Sequence, residues 1–214
     1  MAASDYSYRP GSLGRSTPPD TSMGRPEMRT SLGRKTLAVH KALTQAGVDH
    51  AFGGALALAY CAEPRPTTDV DLNVFVPETD IPGLAALLDP LGLNFSARIE
   101  LAKRDGQCRA LWDSTPFDVF FAYDPFHDAM ARAARSVPFE GETIRVICAE
   151  HLIVCKAVLD QPKHWLDIEQ ILVSGNDLDV VEMKKWLSWI VGESDYRFVR
   201  LITLTVRCLG DAVQ

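Results

Sequence analysis

Long apolar runs are missing from this sequence. No stretch approaches the roughly 18 consecutive apolar residues that a membrane-spanning helix requires, and the first residues lack the hydrophobic centre of a secretion signal. These two absences argue against a membrane protein or a secreted one. We therefore expect a cytoplasmic protein without a membrane partner.

Paired cysteines are also missing. The chain has five cysteines, an odd number, and none stands in a Cys-x-x-Cys pattern. Scattered cysteines of this kind are typical of reduced, mostly buried thiols, whereas disulfide frameworks and zinc sites show paired spacings. The sequence thus predicts neither a disulfide nor a zinc site.

Positive charge is scarce over most of the chain. The formal net charge is −6, but residues 1–35 hold six Lys or Arg against three acids, a local balance of +3 that leaves −9 for the remainder. An acidic body argues against broad non-specific binding to nucleic acid, yet it is compatible with a basic arm or cleft. Residues 1–30 are rich in Ser, Thr, Gly, Pro and Arg, so we expect a disordered basic tail.

The clearest candidate strand runs from Val70 to Val76. Apolar residues alternate there with Asp69, Asp71 and Asn73, so the two acids share one face of the strand. Carboxylates two residues apart on a strand can reach one divalent ion, or a pair of ions about 4 Å apart. The alternative is a solvated strand face without a ligand.

A glycine pair, Gly53-Gly54, precedes this strand. It follows a short apolar run and comes before the helix-like segment Ala55–Tyr60, which outlines a turn from strand to helix. Glycines at such a turn let backbone N–H groups approach an anion closely. Each feature alone is weak, since most glycine pairs are only turns, but together they favour a phosphate-and-metal site.

The order of these residues resembles a known signature. Gly53-Gly54 followed by Arg65-x-Thr67-x-Asp69-x-Asp71 is similar to the motif of the nucleotidyltransferase superfamily that includes DNA polymerase β, specifically its minimal MNT and AbiEii-type toxin branch. The resemblance implies an α+β fold, with a mixed β-sheet flanked by helices and followed by a C-terminal helical segment. We therefore expect a nucleotidyltransferase core over residues 31–148 and a helical segment over 149–214 packed on it.

A third acid stands on a later strand. Asp118 lies inside the apolar run 117–121 and shares a face with Phe120. It is either an edge-strand carboxylate in water or, because an unpaired buried carboxylate is costly, the partner of a metal or cation. In the resembling family a third acid occupies this place in the order, so the resemblance implies a metal-binding and catalytic role for Asp118.

A lysine stands in the middle of a helix that is apolar nearly all round, residues 150–160. Lys156 either extends to Asp160 four residues on or faces the triphosphate of a nucleotide. The next helix opens with Pro162 and carries Lys163 and Asp167, which are spaced as an i, i+4 ion pair.

This region resembles the second motif of the same toxin branch. The motif matches at Lys156, Lys163 and Asp167, and the resemblance implies that these residues serve catalysis and nucleotide binding. The match fails at Gln161, where an arginine is usual, and at His164, where an aspartate is usual. We assign no role to those two positions.

The remaining segments give weaker predictions. We expect helices over 32–46 and 81–91, a strand over 93–101 and a hairpin turn at Arg104-Asp105-Gly106 whose second strand is 109–112. Further along we expect a helix over 126–135, a hairpin around Glu140-Gly141, and helices over 178–191 and 196–209. Trp186 and Trp189 suit a core or an interface better than base stacking.

The resemblance implies a specific chemistry. Asp69, Asp71 and Asp118 would hold two Mg²⁺ ions, or Mn²⁺, while the amides of Gly53 and Gly54 receive the phosphates of a nucleoside triphosphate. Lys156, and with it Arg65, would neutralise the departing pyrophosphate. The three acids and Lys156 are then the catalytic residues. Binding of the nucleotide falls to a wider set: Gly53, Gly54, Arg65, Thr67, Lys163 and Asp167.

The acceptor is less defined by the sequence. The resembling toxins extend the 3′ end of tRNA, which makes RNA the first choice and a cognate antitoxin, such as a kinase, a possible partner. Transfer to a small molecule such as an aminoglycoside, transfer to a protein hydroxyl, and a non-catalytic binding role are the alternatives. Thr67 is expected beside the acids, where phosphorylation would add a charge near −2 and silence the enzyme; otherwise its hydroxyl only holds the turn.

Overall fold

The computed structural model describes residues 31–175 and 177–210, apart from the side chain of Glu78. The predicted basic tail over residues 1–30 lies outside the described residues. Six strands form one mixed sheet in the order β3-β4-β2-β1-β6-β5. The strands are β1 (His50–Phe52), β2 (Val70–Val74), β3 (Gln107–Trp112), β4 (Thr115–Phe121), β5 (Arg135–Phe139) and β6 (Glu142–Val146).

Helices precede, interrupt and follow this sheet. Four of those described, α6 to α9, come after the last strand and account for the predicted helical C-terminal segment. The α-helices are α1 (Leu32–Gln45), α2 (Gly54–Leu58), α3 (Ile81–Leu88), α4 (Ile99–Asp105), α5 (Pro125–Ala133), α6 (Ala149–Leu159), α7 (Pro162–Val173), α8 (Val180–Val191) and α9 (Tyr196–Leu209). None of the helices within the described ranges is long and apolar enough to cross a membrane.

The pairing of the central strands brings the predicted acids together. β2 and β4 run parallel, and in their register Asp71 lies directly beside Asp118. β1 pairs with β2 in antiparallel fashion on the other side. Neighbouring strands lie about 4.8 Å apart, so this register places two carboxylates on adjacent strands at the same level. Because β4 lies between β2 and β3, Asp118 does not stand on an edge strand.

Local sequence explains where most elements begin. The side chain of Asp124 caps α5 by accepting from the backbone N–H groups of Phe126 and His127 at 2.9 and 3.1 Å, and Pro125 occupies the favoured first turn. Pro162 opens α7 in the same way. The predicted helix over 196–209 and the hairpin around Glu140-Gly141 are confirmed.

Two predictions between residues 93 and 112 are wrong. The segment expected as a strand over 93–101 is a 3₁₀ turn at 96–98 followed by the start of α4. Gly106 does not make a hairpin turn; it has φ +66° and ends α4, with its N–H bonded to the carbonyl of Ala102 at 3.0 Å. A glycine in the left-handed region commonly ends a helix. The hairpin turns instead at Asp113 and Ser114, which join β3 to β4.

Smaller corrections concern the ends of helices. The helix expected over 81–91 ends at Leu88 and continues as a 3₁₀ turn over 89–91. The one expected over 126–135 spans Pro125–Ala133, because Arg135 already belongs to β5. Of the two tryptophans, Trp186 is buried in the core and Trp189 is exposed.

Apolar side chains of the central strands form part of the hydrophobic core. The largest side chains in it are fully buried, and β2 contributes Leu72 and Val74, which lose all exposure to solvent. Burial of such a side chain contributes about 1.5–3 kcal/mol. The apolar half of β2 therefore anchors the strand and leaves its polar half, with Asp71, facing the other way.

Candidate functional site

A cavity of about 620 Å³ lies over the polar face of β2 and β4. Its lining includes Asp69, Asp71 and Asn73 from the β2 segment and Asp118 and Phe120 from β4. The sequence predicted that Asp69, Asp71 and Asn73 share one face and that Asp118 and Phe120 share another, and both groups line the same cavity. A volume of this size suits a nucleotide or a small cofactor.

The glycine pair fits closely around Asp71. Gly54 has φ +53°, and a Cβ at this residue would stand 1.7 Å from Oδ2 of Asp71. The backbone N–H of Gly53 donates to the carbonyl oxygen of Asp71 at 2.9 Å. Position 54 needs a positive φ and space for the Asp71 carboxylate, and glycine meets both requirements because it has no Cβ. The turn and the acid, predicted separately as phosphate and metal features, are one unit in the structure.

The carboxylate of Asp71 has a strongly perturbed pKa. Burial, followed by the negative charges of Asp69 and Asp118, raises the pKa of Asp71 to about 6, and Lys156 and Lys163 oppose the shift. Like charges close together disfavour ionisation of each other. Burial and the neighbouring acids thus both disfavour the charged form of Asp71, and a cation bound beside it would offset that cost.

Asp118 and Asp69 already have partners of their own. Arg109 donates from Nε and Nη2 to the two carboxylate oxygens of Asp118, each at 2.6 Å. The hydroxyl of Thr67 hydrogen-bonds Oδ1 of Asp69. Within the described residues no three His, Cys, Asp or Glu side chains are gathered closely enough to hold an ion. The strands bring the three acids to one cavity, but the carboxylates point to separate partners.

The predicted lysine is held by an unexpected acid. Lys156 is buried and donates to Oδ2 of Asp167 at 2.6 Å, so the alternative of a pair with Asp160 is wrong. Asp160 instead accepts from Nε1 of Trp165 at 2.7 Å and from the hydroxyl of Tyr196. The predicted pair of residues 163 and 167 is wrong for the same reason, since α7 turns Asp167 inward.

Asp167 also receives Arg65. The guanidinium donates from Nε and Nη2 to the two oxygens of Asp167, both at 3.0 Å. Burial alone would raise the pKa of Asp167, but the hydrogen bonds from Arg65 and Lys156 outweigh it and lower the pKa. Arg65 and Lys156 line the cavity, whereas Asp167 lies behind them. Two cations around one acid leave a net positive charge on this wall.

The start of α7 adds to the positive wall. Lys163 lines the cavity and forms no ion pair with another described residue. His164 lines it too, and burial followed by the charges of Lys156 and Lys163 lowers the pKa of its imidazole to about 4. His164 is therefore neutral near pH 7. Gln161, the other position that departs from the motif, lies beside them in the lining.

A further wall was not predicted from the sequence. Tyr123, Asp124 and His127, at the end of β4 and the start of α5, line the cavity beyond Phe120. Nδ1 of His127 hydrogen-bonds Asp124 at 2.7 Å, and the rings of Tyr123 and His127 are 4.5 Å apart. The helix-capping pattern Asp124-Pro125, directly after the strand that carries Asp118, was the signal available for this wall.

Thr67, like Asp167, is a predicted site residue that does not line the cavity. Its contact with Asp69 nevertheless joins it to the acidic group. Of the other predicted site residues, Asp167 lies behind the wall, and the rest line the cavity: Gly53, Gly54, Arg65, Asp69, Asp71, Asp118, Lys156 and Lys163.

Comparison with known proteins rests on structure. No protein-family profile and no curated protein matches the sequence. The solution structure of the antibiotic-resistance factor ANT(2'')-Ia matches with a TM-score of 0.52 at 14% identity, over 80% of this chain and 95% of that one. The crystal structure of ANT(2'')-Ia in complex with adenylyl-2''-tobramycin matches with a TM-score of 0.55 at 17% identity, over 75% of this chain and 99% of that one.

These matches confirm the predicted fold class. The chain shares with ANT(2'')-Ia an α+β architecture, in which a mixed sheet is flanked by helices. Identities of 14% and 17% make this a likeness of fold. Membership of the nucleotidyltransferase superfamily, and of its MNT and AbiEii-type toxin branch, stays a prediction from the motifs.

Proposed function

We propose that this protein is a metal-dependent nucleotidyltransferase, which moves a nucleoside monophosphate from a nucleoside triphosphate to an acceptor hydroxyl and releases pyrophosphate. One observation carries the proposal: Asp69, Asp71 and Asp118 line a nucleotide-sized cavity that Lys156 and Lys163 also line. Phosphoryl-group transfer needs positioning and charge stabilisation more than a protein nucleophile. A cavity lined by clustered acids and clustered cations meets that need.

The donor chemistry of the acids fits a hard divalent cation. All three candidates are carboxylates, the ligands that Mg²⁺ and Mn²⁺ prefer, and a bound cation would offset the burial and the like-charge repulsion that raise the pKa of Asp71. Asp69, Asp71 and Asp118 would hold the metal, with two ions expected. When bound, the metal supplies activation of the acceptor hydroxyl and neutralisation of phosphate charge.

The cationic wall has the complementary role. Lys156, Lys163 and Arg65 would bind the triphosphate and neutralise the pyrophosphate as it leaves. The amides of Gly53 and Gly54 lie next to Asp71 and would receive phosphate oxygens. Asp167 acts through its two partners, because its carboxylate is already occupied by Arg65 and Lys156. We therefore place it as a positioning residue for the nucleotide-binding cations.

Variants of the acids test the activity. Asp69→Ala and Asp118→Ala should each abolish transfer of label from an α-labelled nucleoside triphosphate, because each removes one of the three carboxylates that would hold the metal. Asp49→Ala, which removes an acid paired with Arg145 on the surface, is the control and should stay active. Circular dichroism checks that the variants fold. Full activity in either Asp69→Ala or Asp118→Ala would refute the scheme.

For the acceptor we propose RNA, with the 3′ end of tRNA as the first choice, and a role as the toxin of a toxin–antitoxin pair. The motif resemblance supports this choice, as does the positive balance of residues 1–35. Transfer to an aminoglycoside-like small molecule is the second candidate, since one structural neighbour was solved with adenylyl-2''-tobramycin. Incubation with total RNA, each labelled nucleotide and Mg²⁺ separates them: labelled tRNA supports the first, and label on an added aminoglycoside alone supports the second.

Thr67 is the proposed control point of the enzyme. Its hydroxyl hydrogen-bonds the carboxylate of Asp69, so a phosphoryl group there would place a charge near −2 against a proposed metal ligand. An antitoxin with kinase activity would silence the enzyme in this way. Thr67→Glu should lose activity and Thr68→Glu, at the exposed neighbouring residue, should keep it. Normal activity of Thr67→Glu would contradict the proposal.

A further inference from the structure

Arg109 holds the third carboxylate of the site in a complete two-point contact. It stands on β3 directly opposite Asp118 on β4. Its Nε donates to Oδ1 and its Nη2 to Oδ2, each at 2.6 Å. Both carboxylate oxygens are thereby engaged by one guanidinium, the strongest geometry for a pair of this kind.

The pair is placed where stability gains little from it. The Arg109 side chain is 60% exposed and that of Asp118 is 19% exposed, and ion pairs with an exposed partner contribute little to stability. Both residues line the cavity of the three acids. The contact therefore affects the charge and the accessibility of Asp118 more than it affects the fold.

We propose that Arg109 is a positioning residue that occupies Asp118 until a divalent cation replaces it, and that it thereby sets the metal affinity of the site. A guanidinium and a metal ion compete for the same two oxygens, and the positive charge of Arg109 also repels an arriving cation. The exchange frees the guanidinium at the cavity wall. This inference rests on the proposed function in one respect, the metal-binding role of Asp118.

Competition has a reciprocal consequence. If Arg109 weakens metal binding through Asp118, bound metal must weaken the contact between Arg109 and Asp118 by the same factor. The same structure offers a matched pair for comparison, because Arg104 contacts Asp105 through the same two nitrogens at 2.7 and 2.8 Å. Arg104 does not line the cavity and Asp105 is not a proposed ligand.

Metal titration tests the first half of the exchange. Binding of Mn²⁺ alone is followed by electron paramagnetic resonance on the full chain carrying Arg109→Gln, Arg109→Lys or Arg104→Gln. Arg109→Gln should bind Mn²⁺ about five- to tenfold more tightly than the native protein, the lower part of the range usual for coupled sites. Arg109→Lys should lie between the two, since lysine keeps the charge but loses the two-point contact. Arg104→Gln should match the native protein.

The second half is read from the arginine itself. The NMR signal of the Arg109 Nε–H group is assigned by its absence from the spectrum of Arg109→Gln. Its chemical shift should move toward that of a solvated arginine as Mg²⁺ is added. The signal of Arg104 should stay in place. If the pair were purely structural, Arg109→Gln would not raise the metal affinity, and Mg²⁺ would not move the Arg109 signal.

The outcomes separate this inference from the proposed function. Equal Mn²⁺ affinity of the native protein and Arg109→Gln, or weaker binding by the variant, would overturn the exchange while leaving the metal site intact. An Arg109 signal that is unmoved at saturating Mg²⁺ would overturn it too. Binding of Mn²⁺ to none of the proteins would overturn both the exchange and the metal-dependent function.

Discussion

Replacement of Asp167 by asparagine tests how the positive wall of the cavity is held. The side chains of Lys156 and Asp167 are each only 4% exposed and lie 2.6 Å apart. Asparagine keeps the shape of the residue but removes its charge, which leaves the ammonium of Lys156 buried without a counter-charge. Breaking a buried ion pair by removal of one partner costs about 3–5 kcal/mol. We expect Asp167→Asn to lower the free energy of unfolding by about 3 kcal/mol, since the amide oxygen still accepts one hydrogen bond.

A second substitution, at Lys156, isolates the effect of the buried positive charge. Lys156→Met alone should cost only about 1–2 kcal/mol, because Asp167 keeps both hydrogen bonds from Arg65. In the Asp167→Asn background the same change should be stabilising, because it removes the uncompensated buried charge. Arg65 can meet solvent at the cavity wall, since its side chain is 34% exposed.

Urea unfolding at pH 7 measures these differences by linear extrapolation. The control is Glu169→Gln on the same helix, where the acid contacts Arg207 and the two side chains are 43% and 64% exposed. Loss of that surface pair should cost about 0–1 kcal/mol. The reasoning fails if Asp167→Asn is no less stable than Glu169→Gln, or if Lys156→Met gives no rescue in the double variant.

Three other perturbations test the acidic side and its partner. Folding raises the pKa of Asp71 to about 6 from an ordinary 3.8, so ionisation of Asp71 lowers the stability of the protein as the pH rises through that window. Asp71→Asn should therefore stabilise the metal-free protein at pH 7 by about 1–2 kcal/mol, measured by thermal unfolding. The same variant should lose the rise of Mn²⁺ affinity between pH 5 and pH 7. Gly54→Ala should lower the free energy of unfolding by more than about 2 kcal/mol because of the contact with Asp71. The control is Gly47→Ala, at a residue with φ +68° and no atom within 4 Å of the added Cβ, which should lower it by only about 1 kcal/mol. Equal losses in urea unfolding would contradict the close fit of Gly54 around Asp71. Arg65→Lys keeps its charge but loses the two-point contact with Asp167, and kcat/KM for the nucleotide should fall about tenfold; an unchanged value would exclude a positioning role for that contact.

Alternation along one strand was enough to place two acids correctly. The period of two over residues 70–74 put Asp69 and Asp71 on the face away from Leu72, and the structure has them there. The same reasoning placed Asp118 with Phe120. What the pattern could not give is the parallel register that sets Asp71 beside Asp118, because strand pairing depends on the connections between strands and not on either strand alone.

The partners of the charged residues were not predicted correctly, because the prediction used spacing along one helix whereas contacts between distant parts of the chain determine the ion pairs. The four-residue rule paired Lys156 with Asp160 and Lys163 with Asp167, yet the buried ammonium reaches across to another helix. Arg109 was missed for a related reason. A turn placed at Gly106 gives the wrong hairpin; with the turn at Asp113 and Ser114, Arg109 and Asp118 are equally distant from it and must face each other.

Like charges cluster among both the acids and the cations of the cavity, and the two clusters are compensated by different kinds of partner. Clustered acids repel one another, and in the structure that repulsion is relieved by exposed or exchangeable partners: the hydroxyl of Thr67 on Asp69 and the guanidinium of Arg109 on Asp118. The clustered cations are instead fixed by Asp167, a buried acid with no access to the cavity. In the proposed reaction, a metal that arrives with the substrate would displace the first kind of partner but not the second. The proposal therefore predicts a phosphate-binding wall that is preformed and a metal-binding wall that is assembled when substrate binds.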